Sequence, residues 1–339
     1  MMGSGKGAEN GILFKGGEYL EIARKVKTVV FDKTGTLTKG KPSLTDVIDL
    51  SGKSENEILR LAAIAEAGSE HPLGRAVVNH AKEKGISLTH LDSFEAVSGH
   101  GLKAIYRDHD ILIGNRKLMD DNRISITDKT EQNLTELENE GKTAVLVSVD
   151  NGVSGIIALA DTVKENAKEA IDSLKAMGLE VIMLTGDNER TAKTVAYKLG
   201  ISRVIAQVLP QEKEQVVSRL KKQEKKTVAM VGDGINDAPA LASADLGIAL
   251  GSGTDVAKET GGIVLIKDDI RDVVTALDLG KKTVAKIKQN LFWAFAYNIV
   301  AIPVAALGFL TPTFGALVMG LSDVVLAVNS ARLFVKKVD

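Results

Sequence analysis

Hydrophobic and polar positions follow the periods of strands and helices along most of the chain. A short β-branched run, Val26 to Phe31, predicts a buried parallel strand that delivers Asp32 at its carboxyl end. From about residue 160 short apolar runs alternate with helical segments, and strands are predicted at Glu180 to Leu184 and at Thr227 to Val231. Repeated strand, loop and helix units of this kind predict an α/β fold with a doubly wound parallel sheet.

Three helices are predicted in this part, because each segment has a helical apolar period and two of them stop at a glycine. They run from Val163 to Met177, from Glu189 to Leu199 and from Glu212 to Lys222. Residues 1 to 22 have the pattern of a glycine-rich start followed by a short amphipathic helix.

Residues 43 to 153 have a different character, with helices first and short strands afterwards. Apolar spacing predicts helices from Glu55 to Glu66 and from Arg75 to Lys84. Two short β-branched runs then flank Asp150-Asn151-Gly152, which is a strong hairpin signal. We therefore predict an α+β domain inserted after the first strand of the parallel sheet.

Two long apolar stretches lie near the C-terminus. Leu291 to Leu310 has no charged residue, and Phe314 to Val335 is interrupted only by Asp323 and Arg332. Their lengths predict a pair of transmembrane helices, with two buried core helices as the alternative. Lysines flank the pair on both sides, so the positive-inside rule places both ends in the cytoplasm.

These patterns divide the chain into four parts. They are residues 1–22, a parallel-sheet domain of residues 23–42 and 154–285, an inserted domain of residues 43–153, and a transmembrane helix pair within residues 286–339.

Composition removes several classes of function. The 43 basic and 44 acidic side chains nearly cancel, and aromatic residues make up only 4% of the chain. A basic surface or a stacking platform for nucleic acid is therefore not expected. The chain contains no cysteine, which excludes disulfides, thiolate metal sites and cysteine nucleophiles within it.

Aspartates follow three of the predicted strands, namely Asp32, Asp187 and Asp233. Open α/β sheets bind ligands at the carboxyl ends of their strands. Clustered carboxylates repel one another unless a cation joins them, and Mg²⁺ prefers oxygen ligands and often bridges protein to phosphate. The pattern indicates phosphoryl transfer. Taken singly, each aspartate could instead be a turn former, part of a helix cap or an ordinary loop residue.

The motifs around these aspartates resemble the signature set of P-type ATPases, which belong to the haloacid-dehalogenase-like superfamily. They are Asp32-Lys33-Thr34-Gly35-Thr36, Thr185-Gly186-Asp187 and Gly232-Asp233-Gly234-Ile235-Asn236-Asp237. The resemblance implies that Asp32 is the nucleophile that accepts a phosphoryl group from ATP.

The same resemblance implies roles for further residues of the phosphoryl site. Thr185 and Lys213 are expected to contact the phosphoryl group, with Asn236 and Asp237 supporting the site. The implied Mg²⁺ ligands are Asp32, the Thr34 carbonyl and Asp233.

Thr34 distinguishes between a pump and a phosphatase. Soluble phosphatases of this superfamily place an aspartate two residues after the nucleophile, where it acts as general acid and base. A threonine cannot perform that role near neutral pH, so an aspartyl phosphate on Asp32 is expected to persist. A pump requires such an intermediate, and a phosphatase does not.

Motifs of the inserted segment resemble the nucleotide-domain motifs of heavy-metal P-type ATPases. They are Ser69-Glu70-His71-Pro72-Leu73, Gly99-His100-Gly101 and Gly114-Asn115. The resemblance implies an ATP pocket lined by Glu66, His71, Gly99, Gly101 and Asn115. Taken alone, His71 would be interpreted as a surface histidine before a proline.

The apolar stretches carry a resemblance to the copper(I)-exporting branch of that family. It rests on Tyr297, Asn298, Met319 and Ser322, and methionine sulfur is a soft ligand suited to copper(I). Met319 could instead simply pack against lipid or helix. Asp323 departs from the branch pattern, which has a second serine or threonine at this position. An intramembrane carboxylate indicates a functional role, and zinc-type pumps use an aspartate in this region. A zinc, cadmium or cobalt pump is therefore the alternative.

The resemblance implies that residues 1–22 end a preceding membrane helix and stalk, that residues 23–42 and 154–285 form a phosphorylation domain and that residues 43–153 form a nucleotide-binding domain, with these catalytic domains in the cytoplasm. A complete pump of the family has six further membrane helices and an actuator domain, which this chain is expected to lack. We therefore expect the chain to bind ATP and Mg²⁺ and to be phosphorylated, without transporting a heavy-metal cation alone. Two other hypotheses stay open, namely a stand-alone Mg²⁺-dependent phosphatase and a non-catalytic nucleotide-binding partner that associates with a pump in the membrane.

Overall fold

The computed structural model describes residues 2–69, 71–233, 237–251, 253–309 and 311–335. The strands are β1 (Ile12–Phe14), β2 (Thr28–Asp32), β3 (Ser43–Asp49), β4 (Ser93–Val97), β5 (Gly101–Tyr106), β6 (His109–Gly114), β7 (Thr143–Val149), β8 (Gly152–Ala160), β9 (Glu180–Leu184), β10 (Arg203–Ile205), β11 (Val228–Gly232), β12 (Leu246–Ala249) and β13 (Ile263–Leu265). The helices are α1 (Met2–Glu9), α2 (Gly17–Lys25), α3 (Glu55–Ala65), α4 (Pro72–Glu83), α5 (Arg116–Asp121), α6 (Asp128–Asn139), α7 (Ala167–Ala176), α8 (Glu189–Leu199), α9 (Lys213–Glu224), α10 (Ala238–Ser243), α11 (Asp255–Thr260), α12 (Arg271–Ala306) and α13 (Pro312–Val335).

The described strands form two sheets. The first has seven strands in the order β1-β13-β12-β11-β2-β9-β10. Strand pairs β9–β10, β11–β12 and β12–β13 are parallel, and β1 adds an antiparallel edge to β13. The α/β class predicted from the sequence is confirmed, while the antiparallel edge strand was not predicted.

Residues of the chain divide into two compact units. One unit contains residues 1–30, 172–180 and 214–339, and the other contains residues 31–171 and 181–213.

The second sheet has six antiparallel strands in the order β3-β8-β7-β6-β5-β4. Side chains alternate between its two faces, as the period of two in a strand requires. On β6, Ile111 and Ile113 pack with α3 and α4, whereas Leu112 packs with α5 and α6 on the opposite face. This sheet runs from Ser43 to Ala160, and the domain division expected from the sequence stays a prediction.

Several predicted elements are confirmed with nearly the predicted bounds. Strand β9 and helix α8 have the limits expected from the sequence, and β7 and β8 pair as the hairpin around Asp150-Asn151-Gly152. The predicted helix start at Val163 is wrong, because α7 begins at Ala167. Val163 instead forms an isolated antiparallel bridge with Thr38, which keeps the backbone there extended.

The glycine-rich start forms helix α1, within residues 1–22, for which the end of a preceding membrane helix and a stalk are predicted. Glycine has poor helix propensity, so tertiary contacts decide the conformation here. A Cβ on Gly3 would lie 2.5 Å from the Thr283 hydroxyl, and one on Gly7 would lie 2.8 Å from the Ile12 carbonyl. Small residues at these positions therefore allow α1 to pack closely against α12 and β1.

The two apolar stretches at the C-terminus lie in helices α12 and α13. Among the described residues, one segment, Gly315–Arg332, is long and apolar enough to cross a membrane by length and composition. Polar side chains join the two helices. Asn290 Nδ2 donates to Ser330 Oγ at 2.8 Å, and Asn329 Nδ2 donates to the side-chain oxygen Oδ1 of Asn290 at 2.6 Å. The transmembrane pair stays a prediction.

Replacement of Ile156 by alanine is expected to destabilise the six-stranded sheet. Ile156 is fully buried, so its truncation should lower the free energy of unfolding by about 3 kcal/mol through lost burial and a residual cavity. Urea denaturation measures the effect. Ile105, on the same sheet but 39% exposed, provides the control, and an equal loss in Ile105→Ala would contradict this account of the core.

Candidate functional site

Asp32 stands at the carboxyl end of a fully buried strand. All five residues of β2 are buried, which the β-branched run before the aspartate favours. Asp32 itself is only 4% exposed. A buried carboxylate requires a compensating charge or hydrogen bonds.

Lys213 supplies that charge to Asp32. Its Nζ lies 2.6 Å from Asp32 Oδ1, and both side chains are buried. Lys213 is the first residue of α9, directly after a short 3₁₀ turn at Pro210–Glu212. The structure therefore brings together two residues that lie 181 positions apart in the sequence.

The chain makes a tight turn directly after Asp32. Gly35 adopts a left-handed backbone conformation with φ of 76°, which favours glycine. The turn is held by Lys164, whose Nζ donates to the Gly35 carbonyl at 2.9 Å, and by Thr38, which donates to Asp161 at 2.5 Å. Lys164 and Asp161 are site residues that the sequence did not reveal, since neither belongs to a recognisable motif.

Thr185 and Asp187 lie in the loop after β9. Thr185 is 2% exposed, and its hydroxyl accepts a hydrogen bond from the Asp187 N–H at 3.1 Å. The Asp187 carboxylate forms an ion pair with Lys33 and accepts from Thr143 at 3.3 Å. Sequence reasoning grouped Asp187 with the other aspartates and missed its pairing with Lys33, the residue next to Asp32.

Asp233 and Asp237 follow β11 in the other unit. The Asp233 N–H donates to Asp237 Oδ2 at 3.4 Å, and the Asp233 carbonyl accepts from the Thr254 N–H at 2.8 Å. Asp237 is 1% exposed. A Cβ on Gly232 would lie 2.8 Å from the Asp237 carboxylate, so a glycine is needed there. Asn236, predicted to support the site, lies outside the described residues.

Glu66 lies at the end of α3, where burial raises the pKa of its carboxyl against the opposing effect of a Ser69 hydrogen bond. Its Oε2 is buried and has no hydrogen-bond partner within the described part of the chain. A Cβ on Gly74 would lie 2.1 Å from that oxygen. The carboxyl group is thus enclosed while retaining capacity to bind a polar ligand.

His71 caps the N-terminus of α4. Its Nδ1 accepts a hydrogen bond from the Leu73 N–H at 3.2 Å, which assigns the ring proton to Nε2 in the neutral form. Burial of the ring lowers the pKa of His71, although the residue as a whole stays exposed, and the charge of Asp187 opposes this shift. The ring is therefore neutral at pH 7 and close enough to Asp187 to sense its charge.

Gly99, Gly101 and Asn115 meet at one end of the six-stranded sheet. Asn115 Nδ2 donates to the Gly99 carbonyl at 3.2 Å, while its Oδ1 accepts from the Leu118 N–H at 3.0 Å and caps α5. Gly101 has a φ of 140°, and a Cβ there would lie 2.0 Å from the Ile113 carbonyl oxygen. A Cβ on Gly99 would lie 2.2 Å from the Leu209 side chain.

The residues predicted to bind a transported metal lie on α12 and α13. Asn298 Nδ2 donates to the Ala294 carbonyl of its own helix at 2.8 Å. Met319 is 69% exposed, and Ser322 is half-buried. Tyr297 lies on α12 as expected. A common metal site for these four residues stays a prediction.

Comparison with protein families and curated proteins identifies relatives over nearly the whole chain. The model of haloacid dehalogenase-like hydrolases matches residues 26–245. Copper-exporting P-type ATPases of Staphylococcus aureus, from strains JH9 and MW2 among others, are 51% identical over 333 residues. These residues are 98% of this chain and 41% of the relatives, so the chain spans about two fifths of their length.

Solved structures give the same family. A zinc-transporting PIB-type ATPase in the E2.Pi state matches 98% of this chain and 54% of its own, with a TM-score of 0.73 and 38% identity. The catalytic domain of the CPx-ATPase CopB-B matches 82% of this chain and 98% of its own, with a TM-score of 0.63 and 30% identity. This chain therefore belongs to the haloacid dehalogenase-like hydrolases and, within them, to the heavy-metal P-type ATPases.

Proposed function

We propose that this chain is the ATP-binding and autophosphorylating core of a heavy-metal cation exporter. The observation that carries the proposal is the buried pair of Asp32 and Lys213, with 2.6 Å between carboxylate oxygen and ammonium nitrogen. A carboxylate held in one position at a strand end is suited to nucleophilic attack on phosphorus.

In the proposed reaction a carboxylate oxygen of Asp32 attacks the γ-phosphorus of ATP. The new bond joins that oxygen to phosphorus, and the bond between the γ-phosphorus and the β–γ bridging oxygen breaks. ADP leaves with the electron pair of the broken bond. Lys213 and the buried hydroxyl of Thr185 are available to stabilise the negative charge of the transferred group.

The residues proposed to bind Mg²⁺ offer oxygen donors alone, which suits this hard cation. They are the Asp32 carboxylate, the Thr34 carbonyl and the Asp233 carboxylate. Asp32 ends β2 and Asp233 directly follows β11, so each carboxylate stands at the carboxyl end of a strand, where open α/β sheets bind ligands. When bound, Mg²⁺ supplies positive charge that neutralises the phosphate oxygens. Asp237, which accepts from the Asp233 N–H, is proposed to hold Asp233 in place, and Asn236 is proposed as a further supporting residue.

The proposed ATP pocket combines a glycine-containing turn with polar side chains. The backbone at residues 99 and 101 takes conformations that suit glycine, and Asn115 holds this turn through the Gly99 carbonyl. The neutral ring of His71 presents an Nε2–H donor, and burial raises the pKa of the Glu66 carboxyl, whose Oε2 has no hydrogen-bond partner among the described residues. Adenine offers ring nitrogens and an amino group that match such partners.

A stand-alone phosphatase is the alternative on the same fold, and Thr34 disfavours it. A phosphatase needs an acid and base beside the nucleophile, and the threonine hydroxyl does not titrate near neutral pH. A non-catalytic nucleotide-binding partner is disfavoured by Lys213, whose buried contact with Asp32 would serve no purpose in adenine binding alone.

We propose copper(I) as the transported cation, because the copper-exporting relatives are 51% identical and because Met319 offers a soft ligand. Zinc, cadmium or cobalt is the alternative, which the zinc-transporting structural neighbour and Asp323 favour. X-ray absorption of a full-length pump carrying this helix pair distinguishes them. A metal shell of oxygen and nitrogen alone would contradict copper(I).

We propose a membrane location for α12 and α13, with the catalytic part in the cytoplasm. Their large apolar side chains face outward, with Trp293 at 56%, Ile299 at 69% and Leu317 at 65% exposure. Apolar surface of this extent requires a cover, and a lipid bilayer provides one. If the purified chain stayed monodisperse in buffer without detergent or lipid, the membrane assignment would fail.

Asp32→Asn is expected to abolish phosphorylation. Incubation of the chain with γ-labelled ATP and Mg²⁺ should give label that survives acid and is lost on hydroxylamine treatment, whereas Asp32→Asn should give none. Asp108→Asn, at an exposed turn, is the control and should label normally. Rapid phosphate release from small phosphoesters would favour the phosphatase, and ATP binding without any label would favour the non-catalytic partner.

Thr34→Asp is expected to shorten the lifetime of the phosphoenzyme. An aspartate at this position can accept a proton from water, and general base catalysis typically accelerates a reaction by about 10²-fold or more. The decay of acid-stable label after a chase with unlabelled ATP measures the lifetime. Thr34→Asn, which has the same shape without the charge, should leave the lifetime near that of the unmodified chain. Equal lifetimes in the two variants would show that Thr34 does not set it.

ATP affinity is expected to stay constant from pH 8 to pH 6.5 and to weaken only at lower pH. The folded pKa of His71 lies below its ordinary value of 6.5, so the ring stays neutral until the pH falls through that lowered value. Calorimetric titration with ATP at each pH gives the affinity. His71→Gln should bind about tenfold more weakly, as loss of one hydrogen bond to the nucleotide implies, and should lack the acid limb of the profile. A midpoint above pH 6.5 would contradict a lowered pKa of His71.

A further inference from the structure

Helix α8 presents a polar face to helix α6. Its residues Arg190, Thr191, Thr194 and Lys198 follow the helical repeat and therefore share one side of the helix. Arg190 donates to the Thr135 hydroxyl at 2.8 Å. Helix α8 begins directly after the loop that holds Thr185 and Asp187, so this face connects α6 to the phosphoryl end of the candidate site.

The other side chains of this face bind carbonyl groups where α6 ends. Thr194 donates to Asn139 O at 3.4 Å, and Lys198 donates to Glu140 O at 3.0 Å. The last carbonyls of a helix lack partners within the helix, and a positive charge there also complements the helix dipole. Thr191 donates at 2.7 Å to Lys142 O just beyond. The contact is thus built from polar groups.

Glu138 is the buried centre of this junction, with 1% of its surface exposed. Its Oε1 lies 2.5 Å from Arg116 Nη1, and its Oε2 lies 3.2 Å from Arg116 Nη2 and 3.4 Å from Arg190 Nη1. Arg116 also binds Glu131 through its Nε at 2.8 Å. Two arginines from different segments of the chain therefore converge on one buried carboxylate.

The two arginines are joined by the chain to two different motifs of the candidate site. Arg116 directly follows Asn115, which binds the Gly99 carbonyl and caps α5. Arg190 lies in the first turn of α8, three residues after Asp187, which binds Lys33 beside the nucleophile. A single carboxylate thereby joins the nucleotide motif to the phosphoryl loop.

We propose that Glu138 is a positioning residue for phosphoryl transfer, whose buried carboxylate connects the Asn115 turn to the Asp187 loop through Arg116 and Arg190. The inference rests on the proposed function, since it specifies how ATP bound at one end is aligned with the acceptor at the other.

The chemistry explains why such a device matters. Phosphoryl transfer depends on the alignment of the attacking oxygen, the phosphorus and the leaving oxygen, and a misplacement of about 1 Å can reduce the rate about 10²-fold. Arg190 makes the connection toward the Asp187 loop, and its loss leaves the Glu138–Arg116 pair and the Asn115 turn in place. Loss of the Arg190 connection should therefore lower the rate of transfer while leaving the affinity for ATP largely intact.

Arg190→Gln tests the proposal with little risk to folding, because Arg190 is 51% exposed and the Glu138–Arg116 pair remains. Lys193→Gln is the matched control, since it removes the same charge from the same helix at a position that pairs only with Glu189 among its described contacts. Phosphoenzyme formation at saturating ATP, measured in a single turnover, should be about tenfold slower in Arg190→Gln and unchanged in Lys193→Gln. The dissociation constant for ATP should change less than about twofold in both, a difference that corresponds to less than half a kcal/mol.

Glu138→Gln should slow phosphoenzyme formation as Arg190→Gln does. The double variant should be little slower than Glu138→Gln alone, because both changes break the same connection. Equal transfer rates in Arg190→Gln and Lys193→Gln would overturn the proposal. The proposal would also be overturned if lower ATP affinity or a lower melting temperature of Arg190→Gln accounted for all of its slower phosphoenzyme formation, because a merely structural role would have that effect.

Hydrogen–deuterium exchange supplies a readout that does not depend on transfer. A non-hydrolysable ATP analogue should protect backbone amides of residues 185–188 in the unmodified chain and in Lys193→Gln, but not in Arg190→Gln, while protection near His71 persists in all three. Unchanged protection of residues 185–188 in Arg190→Gln would overturn the positioning role even if the chain formed no phosphoenzyme. Absence of label in the unmodified chain, by contrast, would refute the proposed function alone.

Discussion

The need to neutralise a buried carboxylate determines much of the arrangement around Asp32. A charged group placed at the end of a fully buried strand is unstable unless an opposite charge meets it there. Lys213 meets it from the start of α9, and Lys33 pairs with Asp187 in the neighbouring loop. Two lysine–aspartate pairs thus offset the charges of Asp32 and Asp187 before any ligand binds. The partner in such an ion pair can also change, because a phosphate group that enters the site can replace the carboxylate as the partner of the lysine ammonium group.

Much of the fold could be predicted because the relevant signals are local. A β-branched run before an aspartate, a helix bounded by Asn188 and Gly200, and a hairpin at Asp150-Asn151-Gly152 each record their structure within a few residues. The exceptions have a common physical cause. Helix α1 forms because Gly3 and Gly7 pack against Thr283 and Ile12, and the start of α7 is displaced because Val163 pairs with Thr38. Contacts between distant residues override local propensity at these places, and no local pattern reports them.

The candidate site divides in the same way. Asp32, Thr185 and the glycines at 99 and 101 belong to short motifs and could be named from the sequence. The groups that hold those motifs in place, such as Lys164 on the Gly35 carbonyl and Glu138 between two arginines, come from segments with no motif of their own. A lysine shortly before a helix and a glutamate near a helix end are ordinary in any sequence. Their importance lies in their burial and partners, which only the folded chain defines.

The backbone at Gly101 has a consequence for how this chain can vary over evolutionary time. Every single-base change in a glycine codon that alters the amino acid introduces a side chain or ends translation. At this position the first carbon of any side chain would lie 2.0 Å from the Ile113 carbonyl oxygen, and the φ of 140° suits glycine alone. Every amino-acid substitution at residue 101 is therefore expected to be unfavourable. A lineage that retains this turn can change its nucleotide contacts only at the surrounding positions.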